Sequence, residues 1–183
     1  MRLVAGPFAA FALLLAIAGV AKAARPKSTS RALKAAGLPS AFGLVRLLGA
    51  GEAVLALLAI AVAGPIPAAL VAISYATFAA FVGYAKARGL AISSCGCFGK
   101  PDTPPTTAHL VVNLTAAALA AIAAIAPGRS PLGQLAHSPG AGVPFAALVL
   151  VVAALGYLAL AEWPRLVAVL RETSLTSSRE AHT

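Results

Sequence analysis

An all-α fold, a polytopic bundle of membrane-crossing helices, follows from three features of the sequence. Hydrophobic residues make up 60% of the 183 residues and charged residues only 10%, with a mean hydropathy of +0.91. A soluble domain carries about 25% charged residues to solvate its surface, so much of this surface must face something apolar. The apolar residues also fall into five runs, each about long enough to span a bilayer, separated by polar breaks rich in Pro and Gly. Finally, Ala dominates these runs while aromatics are only 6%. Small side chains let helix backbones approach closely where water does not drive association.

The first run, residues 3–20, is uncharged and just long enough to cross the hydrocarbon core. It also has the form of a signal peptide, with Arg2 as the n-region, residues 8–20 as the h-region and Ala21-Lys22-Ala23 resembling a cleavage site. A retained helix is the expectation, because the rest of the chain is already a membrane protein. Residues 24–40 are the most basic segment, with Arg25, Lys27, Arg31 and Lys34 following Lys22. Ser28 or Ser30 is suited to cap a short surface-lying helix ending near Gly37.

The second span covers residues 41–63 and carries Arg46 and Glu52. Gly64-Pro65-Ile66-Pro67 breaks it, and the third span, residues 68–85, returns at once as an antiparallel partner. Residues 86–107 are polar and contain both cysteines. The fourth span is 110–126, a Gly-, Pro- and Ser-rich loop fills 127–141, and the fifth span is 143–161. The tail begins as an interfacial helix anchored by Trp163.

The net charge of +9 comes from 14 Lys and Arg against 5 Asp and Glu. No nucleic-acid recognition motif accompanies it, so the expected partners of this charge are membrane lipids, not nucleic acid. Nearly all the cations lie on the face that bears residues 24–40, the cysteine loop and the tail. The positive-inside rule places that face in the cytoplasm. The signal-like start, with Arg2 inside, places it outside.

Cys95 and Cys97 are the only cysteines, in the string Ser94-Cys95-Gly96-Cys97-Phe98-Gly99-Lys100. Two thiols separated by one glycine close into a small strained ring, and strained disulfides are the labile, oxidising ones. Lys100 is placed to favour the reactive thiolate. An inert pair and a Cu(I) site are the competing readings; two thiolates do not complete a zinc shell, and no metal ligand set is assigned.

Glu52 lies at membrane depth, where an ionised carboxylate needs a partner. Arg46, six positions away, occupies another face of the helix, so Lys22 is the expected cross-helix partner. That pair is either structural or part of a proton- or quinone-linked step beside the cysteines. His109 and Asn113, four apart, share a face of the fourth span. His109 is near enough to the cysteine loop to exchange protons with a thiol or simply to cap the helix. Asn113 is expected to hydrogen-bond a neighbouring helix. Tyr75 and Tyr84 read as packing or interface residues.

The order Gly19-Val20-Ala21-Lys22, Gly49-Ala50-Gly51-Glu52 and Cys95-Gly96-Cys97-Phe98-Gly99 resembles the MauE family of methylamine-utilisation proteins, which belongs with the DoxX-like membrane proteins. The resemblance covers residues 8–126. It implies a DoxX-like four-helix membrane domain over residues 1–126; the loop and fifth transmembrane helix over 127–162, read from the sequence alone, add little to it. Residues 163–183 then form an interfacial or disordered tail. It further implies a role in maturing the disulfide-rich small subunit of methylamine dehydrogenase, beside a thioredoxin-like partner outside the cell membrane. Cys95 and Cys97 become the redox pair, and Lys22 and Glu52 the family's charged marks.

The expected function is therefore thiol–disulfide exchange with a disulfide-containing client or a thioredoxin-like protein. One cysteine thiolate attacks and the other resolves the mixed disulfide. No cofactor motif is present, and a membrane quinone is the candidate electron acceptor. The alternatives are a non-catalytic scaffold that recruits a soluble redox enzyme, and a Cu(I) or small-molecule carrier.

Overall fold

A computed structural model describes residues 2–90, 106–126, 128–137 and 139–161. Every regular element among them is helical: α1 (Arg2–Ala24), α2 (Lys27–Ala35), α3 (Phe42–Ala61), α4 (Pro65–Ala87), α5 (Thr107–Ile125), α6 (Pro131–His137) and α7 (Pro139–Ala161). Cys95, Cys97, Lys100 and Trp163 lie outside the described residues.

Four helices, Val4–Ala24, Phe42–Ala61, Pro65–Ala87 and Thr107–Ile125, are long and apolar enough to cross a membrane. The shorter apolar stretch of α7 runs over Gly142–Leu158. Large apolar side chains point outward along these helices: Leu47, Leu57, Ile73 and Val111 are all more than half exposed. A soluble domain rarely exposes apolar surface on this scale. This is the inverse of a water-soluble fold, as expected of a bundle bathed in lipid.

α1 is the central helix. Over half of its spanning window is buried (56%), against 28% or less for each of the other three. It packs chiefly on α3 and also on α7 and α5, while α4 packs chiefly on α5. The main core is built largely from small side chains, including Ala56, Ala59, Ala68, Ala116 and Ala120, around Phe8, Leu15 and Tyr75. Alanine at these positions allows close helix contact without large side chains to interdigitate.

Some boundaries differ from the sequence expectation for physical reasons. α1 runs on through Lys22 because the ammonium finds a partner inside the bundle. α4 begins at Pro65, three residues before the expected start, with Pro65 and Pro67 in its first turn. The first-turn N–H groups have no intrahelical acceptor, so proline loses nothing there. The 127–141 segment, expected as a loop, contains α6.

α2 is capped by neither serine. Pro26 stands at its N-cap without a side-chain hydrogen bond, and Ser28 and Ser30 are buried. The Ser30 hydroxyl instead donates to the Ser40 carbonyl at 2.5 Å, fastening the segment that leads into α3. Glycine ends both α2 and α4. Gly37 (φ 74°) and Gly89 (φ 58°) adopt the left-handed conformation. Each is followed by the paired 6→1 and 5→2 backbone bonds of a Schellman turn, Leu38 to Leu33 and Leu90 to Ala85 being the outer ones.

Candidate functional site

The site begins with two glycines. A Cβ on Gly19 would sit 2.5 Å from the Gly49 carbonyl oxygen, and one on Gly49 would sit 2.6 Å from that of Gly19. Real side chains do not fit at such distances, so α1 and α3 cross backbone to backbone here. Gly19 also meets Ala53 while Gly49 meets Ala23, which makes the two helices antiparallel. Lys22 and Glu52 each follow their glycine by three residues, about one turn. Side chains lean toward the N-terminus of their helix, so Lys22, near the end of α1, leans back along α1. Glu52 waits there, one turn further along α3.

Lys22 Nζ donates to Glu52 Oε2 at 2.5 Å. Both residues are deeply buried, with relative exposures of 4% and 5%. The expected cross-helix pairing is what the structure contains. Arg46 is exposed and takes no part.

The same ammonium stands 4.6 Å above the ring of Phe78 on α4. Cation–π contact is strongest where the cation is desolvated, as here. Phe78 packs edge-on against Tyr75, which packs edge-on against Phe11. The Tyr75 hydroxyl donates to the Phe11 carbonyl at 2.6 Å, tying α4 to α1. Tyr75 is therefore a packing residue, and Tyr84, 45% exposed, is a surface one.

His109 and Asn113 come from α5 and are buried. They line one small cavity of about 20 Å³ together with Lys22, Tyr75 and Phe78. This volume admits about one water molecule. The His109 ring is fixed by the entry to α5: Nδ1 accepts from the Thr106 N–H at 3.3 Å and lies 2.9 Å from the Thr106 hydroxyl. With Nδ1 as acceptor, the neutral ring carries its proton on Nε2. The Asn113 Nδ2 group has no hydrogen-bond partner among the described residues.

The helix ends that flank segment 91–105 are joined at the same end of the bundle. Lys86 in the last turn of α4 donates to the Thr107 hydroxyl of α5 at 3.0 Å, and Ala85 packs on Ala32 of α2. Lys22, Glu52, His109 and Asn113 are thus gathered beneath the anchorage of that segment. Cys95, Cys97 and Lys100 themselves lie outside the described residues.

Sequence reasoning read Tyr75 as a packing residue but missed Phe78 beside it. Their spacing of three residues places both on one helix face, a signal indistinguishable from ordinary packing until Lys22 is known to lie above the ring. The chemistry available is a buried, internally neutralised acid–base pair next to a polar pocket. It can hold a proton or a hydrogen-bond acceptor in an apolar interior.

The family described as methylamine utilisation protein MauE matches residues 2–126. Neither a curated protein nor a solved structure matches the chain.

Proposed function

The chain belongs to the MauE family of methylamine utilisation proteins, and on that footing we propose that it is a thiol–disulfide redox protein of the cell membrane. In this reading Cys95 and Cys97 exchange disulfides with a partner protein. The observation that carries the reading is the convergence of Lys22, Glu52 and His109 under the helix ends that hold the cysteine segment. A charged pair this deep in an apolar bundle is costly to keep unless it serves a purpose.

In the direction of partner oxidation, a thiolate of the partner attacks one sulfur of the Cys95–Cys97 disulfide. The S–S bond breaks and a mixed disulfide forms. A second partner thiolate then displaces the bound cysteine, leaving the partner oxidised and Cys95 and Cys97 as a dithiol. A small ring closed over one glycine is a strong oxidant for this exchange. Buried Lys22, Glu52, His109 and Asn113 would act as positioning and proton-holding groups. Regeneration of the disulfide needs a two-electron acceptor.

Disulfide formation requires the cysteines to meet an oxidising compartment, whereas the positive-inside count favours the cytoplasm. Thiol trapping with membrane-impermeant and permeant maleimides in intact cells reads sidedness and redox state together. The expected result is reaction with the impermeant reagent after reduction, and an oxidised pair at steady state. The Cys95→Ser/Cys97→Ser double variant is expected to leave the partner's thiols reduced. Partner disulfide levels equal to the parent's in that variant would instead support a non-catalytic scaffold.

A further inference from the structure

A second cavity, about 570 Å³, shares Lys22 and Phe78 with the polar pocket. Its volume is within the range of about 300–1,000 Å³ typical of small-molecule sites. Three helices form it. α4 supplies a ladder of Phe78, Phe81 and Tyr84, α3 supplies Leu48, and the inner face of α2 closes one side through Leu33 and Ala36. Lys22 is the only charged residue among the described residues of its lining, and it also lines the pocket of His109 and Asn113.

The cavity opens sideways. Leu38, Leu48, Ala80 and Tyr84 line it and are themselves exposed, the last three on helices long and apolar enough to cross a membrane. Such an apolar mouth suits an occupant that enters from the bilayer.

The charges around the cavity narrow down the occupant. The cations of α2, Lys27, Arg31 and Lys34, are exposed and line a separate surface depression with Ser40 and Phe42. They lie on the opposite face of α2 from Thr29, Ala32, Leu33 and Ala36, which line the apolar cavity. Among the described residues, a phosphate headgroup inside the cavity would find only Lys22, whose charge Glu52 already neutralises. The site suits a neutral amphiphile with an acceptor oxygen for the ammonium, which has three N–H donors, and a flat ring to lie along Phe78 and Phe81.

We propose that the cavity between α2, α3 and α4 is a binding site for a membrane quinone, with one quinone oxygen accepting a hydrogen bond from Lys22. The proposal rests on the thiol-redox reading above, which needs a two-electron acceptor. In the combined step the Cys95 and Cys97 thiols lose two S–H bonds and form one S–S bond. Their two electrons and two protons convert the quinone's carbonyls into the hydroxyls of a hydroquinone.

The test uses the full chain in nanodiscs of zwitterionic lipid, titrated with decylubiquinone, with binding and thiol state measured separately. Saturable binding of about one molecule per chain is expected. Ala80→Trp fills the cavity from an exposed position and Ala36→Phe fills it from α2; each is expected to weaken binding at least tenfold. Both variants are first shown by circular dichroism and gel filtration to keep the parent's helicity and size. Cys95→Ser/Cys97→Ser is expected to bind as the parent does, because none of the described lining residues is a cysteine.

Unchanged binding in both filled variants overturns the site. So does displacement of decylubiquinone by a few mole per cent of phosphatidylglycerol, which would make the cavity a lipid site. Quinone binding without thiol oxidation leaves the site standing and refutes the redox reading. Partner oxidation without quinone binding does the opposite.

Discussion

Removing the carboxylate and the ammonium separately and then together tests whether Lys22 and Glu52 hold the bundle as a pair. Lys22→Met leaves Glu52 only 5% exposed, in the middle of α3 and without its cation. Breaking one side of a buried pair costs about 3–5 kcal/mol. Glu52→Leu leaves the ammonium over Phe78, where the cation–π contact retains about 1–2 kcal/mol. Lys22 is also in the last turn of α1, and its flexible stem can carry the charge toward the helix end. The second loss should therefore be smaller, about 2–3 kcal/mol.

The double variant Lys22→Met/Glu52→Leu removes both charges and fills similar volume, so its stability should return to within about 1–2 kcal/mol of the parent. The coupling energy is then about 3–7 kcal/mol, far above the roughly 0.5 kcal/mol scatter of independent sites. Reversible unfolding of the purified protein in mixed micelles, followed by far-UV circular dichroism against rising dodecyl sulfate, measures all four corners of the cycle. A double variant destabilised by the sum of the two single losses would refute the reasoning.

The same unfolding assay reads two further expectations. Gly49→Ala places a methyl 2.6 Å from the Gly19 carbonyl oxygen and 2.8 Å from the Ala23 nitrogen, forcing α1 and α3 apart at a cost of about 1–3 kcal/mol. Gly51→Ala meets nothing within 4 Å and should be neutral or stabilising by up to about 1 kcal/mol; equal behaviour of the two would show that the crossing is not tight. Asn113→Leu removes a buried donor with no partner among the described residues and should be neutral or mildly stabilising. A loss above about 1 kcal/mol would show instead that a bound water satisfies Asn113.

Much of the architecture was legible because a bilayer constrains composition so strongly. Uninterrupted apolar runs and the Gly and Pro breaks between them located α1, α3, α4 and α5 within a few residues, since a chain in hydrocarbon must satisfy its backbone within helices. The partner of Glu52 was legible too: one buried carboxylate and few cations at membrane depth leave little choice. α6 was not legible, because a Gly-, Pro- and Ser-rich segment carries the same local signals whether it forms a loop or a short helix. The serines of α2 were misread as caps, because hydroxyls serve equally well in tertiary hydrogen bonds such as that of Ser30 to Ser40.

The sequence by itself determined that this is a helical membrane protein of the MauE family type, with a Lys–Glu pair at depth and a single pair of cysteines. Periodicity and composition are local properties, and a run of alanines and leucines states them without reference to the rest of the chain. Tertiary structure alone decided why Gly19 and Gly49 accompany the charges, that Phe78 stands beneath the ammonium, and that His109 and Asn113 share its pocket. Those facts depend on which helix faces which and at what distance. A sequence gives the period of each helix but not the rotation of one against another, and that rotation sets the site.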